Sequence, residues 1–181
     1  MTHTINFSLQ DNDLAYFREI MRKAEANTKT LPENSILANA RKLCSDIAGT
    51  VPNFVQTRLH KLELLVTMVE DDEWQISAQD RSNILTGLGY FSNPKDVVPD
   101  HTPVLGFLDD AIMIELVAES LTDNIEAYQE FCTFRDSEQS RGRDKGVTRH
   151  DWLADKRHEL LTRVKRRHAN YESGNTHFRI F

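Results

Sequence analysis

Apolar residues recur at helical spacing over most of the chain. Leu14, Phe17, Met21 and Ala24 stand three or four positions apart and predict a first helix over 12–27. Its start is marked by Ser8 and Asp11, which have capping-box-like spacing, with Asp13 as a second candidate cap. Pro32 sits where a first helical turn tolerates it, and Ile36, Leu37, Ala40, Leu43, Cys44 and Ile47 form one stripe that ends before Gly49. Pro52 opens the next helix in the same way. Phe54, Val55, Leu59, Leu62, Leu65, Val66 and Val69 carry it to an acidic stop at Glu70, Asp71, Asp72 and Glu73. Ser77 and Asp80 repeat the capping-box spacing, with Asp in place of Glu, ahead of Ile84, Leu85 and Leu88.

From Tyr90 to Pro103 the pattern breaks. Three prolines, Pro94, Pro99 and Pro103, push the residues before them out of helix and predict an ordered, kinked connection. Beyond it, Leu105, Leu108, Ile112, Leu116, Val117, Leu121, Ile125, Tyr128, Phe131 and Cys132 resume a helical stripe, either one long helix or two in tandem broken near Thr122. Residues 135–149 are charged, contain glycine and carry almost no apolar side chain, as a linker does. Trp152, Leu153, Leu160, Leu161 and Val164 mark a weakly amphipathic basic helix. At the two ends, Ile5, Phe7 and Leu9 alternate with polar residues, as do Phe178 and Ile180. Neither arm can bury its apolar side alone, so a small two-stranded ribbon or two adjacent arms on the bundle is expected.

The fold class is therefore all-α, a bundle of about six to seven helices with one proline-rich kinked connection. Three regions are expected: an acidic helical body over 1–134, a charged linker over 135–149, and a basic helix with an apolar tail over 150–181. No apolar run approaches the roughly 20 residues that span a bilayer, and the first ten residues lack the layout of a secretory signal, so the expected compartment is the cytoplasm. Cys44 and Cys132 lack the spacing of a metal knuckle or redox motif and read as reduced core thiols.

Charge divides the chain more sharply than the net −6 suggests. Residues 1–134 hold 10 basic and 21 acidic side chains, whereas 135–181 hold 12 basic and 7 acidic. An acidic body argues against a polyanion footprint there, and leaves Lys156, Arg157, Arg163, Lys165, Arg166 and Arg167 as the candidate anion-binding set, for nucleic acid or anionic lipid. The alternative is that this helix docks on the body. Glu115, Glu119, Asp123, Glu126 and Glu130 follow at steps of three and four, an acidic ridge whose self-repulsion something basic would relieve.

No serine has a Gly-x-Ser-x-Gly context, no phosphate-binding loop or dinucleotide fingerprint is present, and no histidine pair has metal spacing, so the residues support no enzyme class. What remains is the carboxylate set Asp96, Asp100, Asp109 and Asp110 around the proline-stiffened turn. Oxygen-only ligation would suit Mg²⁺, Mn²⁺ or Ca²⁺ and would support a divalent-metal-dependent hydrolase. Against it, aspartates at turns and helix starts serve as caps, and neighbours such as Asp109 and Asp110 diverge by about 100° around a helix. Capping without a cofactor is the expectation.

Tyr90, Pro94, Asp96, Pro99 and Asp100, followed by Pro103, Gly106, Asp109, Asp110 and Ala111, stand at the spacing Y-x-x-x-P-x-D-x-x-P-D, then P-x-x-G-x-x-D-D-A. This resembles the signature of the YkvA-like family, a bacterial domain of unknown function, over about residues 84–120. Lys95 and His101 depart from it, standing where apolar residues are expected. The resemblance implies an all-helical, soluble or membrane-proximal bacterial domain and supplies no activity; read from the residues themselves, Tyr90, Pro94, Pro99, Pro103 and Gly106 are structural, with Gly106 allowing close approach of the following helix to the turn. The reading is a non-enzymatic interaction or regulatory module with a protein partner, the alternatives being the hydrolase and nucleic-acid binding through the carboxy-terminal helix.

Overall fold

The first helix does not start with the serine. In the computed structural model, which describes residues 8–28, 31–47, 51–92, 107–140 and 149–173, Gln10 is the cap: its carbonyl accepts from the Leu14 amide. Asp13, one turn in, reaches back to the Gln10 amide at 2.8 Å, half of a capping box. The helix, α1, is Asp11–Thr28, and it is followed by α2 (Glu33–Ile47), α3 (Asn53–Glu70), α4 (Ala78–Gly89), a single 3₁₀ turn at Tyr90–Ser92, α5 (Leu108–Ser120), α6 (Thr122–Ser140) and α7 (Arg149–Ser173). The described residues form seven helices and no strand, an all-α bundle. None of these helices is long and apolar enough to cross a membrane. Ile5, Phe7, Phe178, Ile180 and Phe181, the residues of the expected ribbon, lie outside the described residues; Leu9 packs half-buried against the core.

Pro32 and Pro52 stand just before their helices, in the cap position, where a missing N–H costs nothing. The Pro32 carbonyl accepts from Ser35 and Ile36, and the Pro52 carbonyl from Val55 and Gln56. Ser77 caps α4 as its spacing predicts: its hydroxyl accepts from the Asp80 amide at 3.1 Å and donates to the Asp80 carboxylate at 2.5 Å. The long stripe after the proline segment is two helices. Leu121 leaves helical geometry (φ −112°, ψ 15°), and the Ser120 and Thr122 hydroxyls on either side donate to carbonyls of the preceding turn at Leu116, Ala118 and Glu119. Such back-bonding competes with a continuing ladder, which places the break where the sequence suggests it.

α5 is largely buried and packs along α3, which also carries α2; α1 and α2 close over α4, and α7 runs along α6. One core joins them. Met21, Leu37, Leu62, Leu65, Ile84, Leu88, Met113, Ile114, Val117 and Phe131 are buried in it, and so are Leu153, Leu160 and Val164 of α7. Trp74, in the turn after the acidic run, is completely buried, with its ring against Tyr128 (5.6 Å between centroids) and Phe131 (5.2 Å).

Two apolar residues read as stripe members face outward instead. Phe54 is 38% exposed on the first turn of α3, and Trp152 is 43% exposed on α7. α6 also runs eight residues past Cys132, the last of its apolar pattern, through Ser140 into the stretch expected as linker, because a helix that has left the core needs no apolar face to continue.

Candidate functional site

The two ends of the proline signature are well placed in the fold. Tyr90 is buried where α4 ends, its ring edge-on to Phe91 at 5.1 Å. Asp109 and Asp110 lie buried in the first turn of α5, where free amides and the helix dipole favour a carboxylate. Phe107, which precedes that turn, has left-handed backbone (φ 65°), and its carbonyl accepts from the Ala111 amide at 2.9 Å. Pro94, Asp96, Pro99, Asp100, Pro103 and Gly106 lie outside the described residues. Among the described residues no group of three or more His, Cys, Asp or Glu side chains could hold a metal ion.

Beside this junction α1, α3 and α5 leave an open groove of about 560 Å³. Its apolar surface comes from Leu9 and Leu14, from Phe54, and from Leu108, Ala111, Ile112 and Leu116 along α5. Arg58, Glu115 and Glu119 form its polar edge. Glu115 is fully engaged there: Arg58 Nε donates to it at 3.1 Å, and Lys61 Nζ donates to both of its oxygens at 2.7 and 2.8 Å. Arg58 spends a further donor on the Phe54 carbonyl at 3.2 Å. One turn along α5, Glu119 is exposed and makes no ion pair among the described residues.

The acidic ridge is thus divided. The break at Leu121 turns Glu115 towards α3, while Asp123, Glu126 and Glu130 face α7. Lys156 Nζ lies 2.7 Å from Glu130, which Arg163 also pairs; Arg167 lies 2.7 Å from Asp123 and 3.0 Å from Glu126. Lys156 and Arg163 hold the Glu130 carboxyl below its ordinary range, and Glu130 in turn raises Lys156. Of the six cations proposed as an anion-binding set, Arg157 donates to the Glu73 carbonyl at 3.0 Å, and Lys165 and Arg166 stand exposed.

The most highly connected polar group was not singled out by the sequence. Asp71, read as part of a helix stop, accepts at Oδ1 from the amides of Glu73 (2.9 Å) and Trp74 (3.1 Å), and at Oδ2 from the Tyr128 hydroxyl (2.9 Å) and Arg135 Nη1 (2.7 Å). Arg135 also reaches Glu73 at 3.2 Å and sits 5.4 Å above the Phe131 ring. Burial works to raise the Asp71 pKa, but the bonds from Arg135, Tyr128 and Trp74 outweigh it and leave the carboxyl lowered. Burial, and then Asp71, raise the Tyr128 phenol. The one signal available was spacing: Tyr128, Phe131 and Arg135 fall on one face of α6. This cluster ties the α3–α4 turn to α6 through the bonds that Tyr128 and Arg135 make to Asp71.

Both cysteines are free. Burial and the nearby Glu63 push the Cys44 thiol up to about 11, and burial raises Cys132, so neither is a ready nucleophile at neutral pH.

No curated protein and no solved structure matches the chain. One family model does match, over residues 83–116, from the second half of α4 through the proline signature into α5; it is described as a protein of unknown function, DUF1232, and to that segment this chain is similar.

Proposed function

We propose that the chain is a non-enzymatic, cytoplasmic interaction module of the YkvA-like kind, in which the acidic body binds a protein partner and the basic carboxy-terminal helix braces that body. The observation that carries this reading is the groove between α1, α3 and α5, an apolar concavity of about 560 Å³ with an exposed phenylalanine at its mouth. Exposed aromatic side chains beside an apolar hollow are the usual anchors of a docking surface. The α7 cations favour the same division of labour, since Lys156, Arg163 and Arg167 are spent on α6 and Arg157 on the α3–α4 turn. A nucleic-acid footprint would need them turned outward.

Site-specific photocrosslinking tests the module. Benzoylphenylalanine placed at Phe54 and, in a second variant, at Trp152 puts the same probe on two exposed aromatic positions, one in the groove and one remote from it. In living cells, a discrete protein adduct at position 54 and none at 152 is the expected outcome. Absence of an adduct at 54, or the same adducts at both positions, would remove the groove as the binding face.

A further inference from the structure

The outward face of α7 is its own complement. We infer that it docks antiparallel on the same face of a second copy of this chain, about a two-fold axis between Leu160 and Leu161. The inner face of the helix is spent on the body: Leu153, Leu160 and Val164 are buried in the core, and Lys156 and Arg163 turn onto Glu130. On the opposite side Trp152, Asp155, Glu159, Thr162, Arg166 and Ala169 are all exposed and follow at alternating steps of three and four, the spacing of a helix–helix seam. Acid lies in its first half and base in its second. The helix dipole does not account for this order, since it acts within the first and last turns, and Asp155 stands six residues past Arg149 and Arg166 seven before Ser173. Asp155 and Arg166 make no ion pair among the described residues. A parallel partner would set like charge against like. Turned end for end about the two-fold axis, each Asp155 meets the second copy's Arg166, Glu159 meets Thr162, and Trp152 comes over Ala169, which leaves room for the indole. Symmetry makes every pair twice. Glu159 brings no bare charge to the axis, because Lys156 pairs with it within the helix at 3.2 Å. A seam of about 26 Å, one helix from each copy, is a small interface. Self-association is therefore expected at about 100 µM, and well below that concentration the chain is monomeric, the condition under which position 152 gives no adduct.

Sedimentation of the full chain from about 10 to about 500 µM, at about 50 mM salt, tests this. The mass should rise from one chain towards two, and about 0.5 M salt should reverse the rise. Asp155→Arg and Arg166→Asp each turn both cross-axis pairs repulsive, so each should weaken self-association about tenfold or more. The doubly substituted chain, Asp155→Arg with Arg166→Asp, should regain it. An equimolar mixture of the two single variants should also dimerise, one chain of each, since every pair across the axis is then of opposite sign. Trp152→Ala should weaken the contact as well, whereas Asp72→Lys, an equal change of charge elsewhere on the surface, should leave it within about twofold. Melting curves taken well below the association range check that every variant folds. A single-chain mass over the whole range would overturn the inference, and so would a dimer indifferent to Asp155→Arg and Arg166→Asp, which would lie on another face. Tighter association of Asp155→Arg, the result expected from net charge alone, would overturn it too. Loss in both single variants without recovery in the double variant or the mixture would mean that positions 155 and 166 do not face each other, and the antiparallel pairing would fall. The Phe54 photoadduct reports on the groove alone, so the module and the α7 contact stand or fall separately.

Discussion

Asp71→Asn removes one charge from the most connected polar cluster and leaves its shape almost unchanged. The amide oxygen can still accept from the Glu73 and Trp74 amides, so the turn keeps its local cap. What is lost lies on the other oxygen, where the Tyr128 hydroxyl at 2.9 Å and Arg135 at 2.7 Å both donate, and where an NH₂ group would now face a guanidinium. Hydrogen bonds to charged groups contribute about 1.5–3 kcal/mol each, and breaking a buried pair from one side costs about 3–5 kcal/mol. The Arg135 side chain is 21% exposed and keeps Glu73, so the lower end applies and the expected loss is about 3 kcal/mol. For a chain of this length that lowers Tm by about 6–12 °C. Urea and thermal unfolding at neutral pH measure it. The pH dependence supplies an independent check. The folded pKa of Asp71 is depressed, so its stabilisation is fully present above the unfolded value of about 4 and is lost as pH falls through the folded one. The gap between wild type and Asp71→Asn should therefore close as pH drops below about 4. A loss under about 0.5 kcal/mol at pH 7, or a gap that does not narrow in acid, would refute the reasoning.

Other expectations follow from particular residues. Asn124 is completely buried with both side-chain polar atoms unbonded, so Asn124→Leu should raise stability by about 1 kcal/mol, and a lower Tm would contradict this. Leu160→Ala, which empties a fully buried position on α7, should cost about 3 kcal/mol in urea unfolding, whereas Lys165→Ala at an exposed one should stay within about 0.5 kcal/mol. Glu130→Gln should cost under about 1 kcal/mol at low salt and progressively less towards about 1 M, because its pairs with Lys156 and Arg163 are partly solvent-screened. Thermal scans with Mg²⁺, Mn²⁺ or Ca²⁺ should leave Tm unchanged; a rise that disappears in Asp100→Asn would establish a cation site in place of capping and reopen the hydrolase alternative.

Where a helix buries one face, its period shows in the sequence, and that is why α1, α2, α3 and the Ser77 cap of α4 were readable within a residue or two, whereas the start of α5 was read three residues early, at Leu105. The break at Leu121 was only half legible: the stripe fitted one long helix or two broken near Thr122, and the Ser120 and Thr122 back-bonds decide for two. Phe54 and Trp152 were misassigned because periodicity marks a stripe and not the edge at which a neighbouring helix stops covering it. The last turns of α6 read as linker because charged residues on a solvated helix and in a loop have the same composition. The Asp71 cluster joins residues 57 and 64 positions apart, and no local pattern reports such a pairing. The groove depends on how three helices lie beside one another, so only its individual apolar residues could be named in advance.

Phe107 sets backbone and side chain against each other at the entrance to α5. A left-handed residue with a Cβ stores about 1–2 kcal/mol of strain, and here the ring, half-buried against the core, offsets it. Glycine at this position would relax the backbone and forfeit the ring, asparagine would tolerate the angle and pack poorly, and valine or isoleucine would fit neither demand. The position should therefore have a narrow and unusually ordered tolerance to substitution: in a library varied at residue 107 and sorted by protease resistance, phenylalanine first, then glycine and asparagine, with the β-branched residues last. A ranking that followed hydrophobicity alone would mean that the ring, and not the turn, governs how α5 begins.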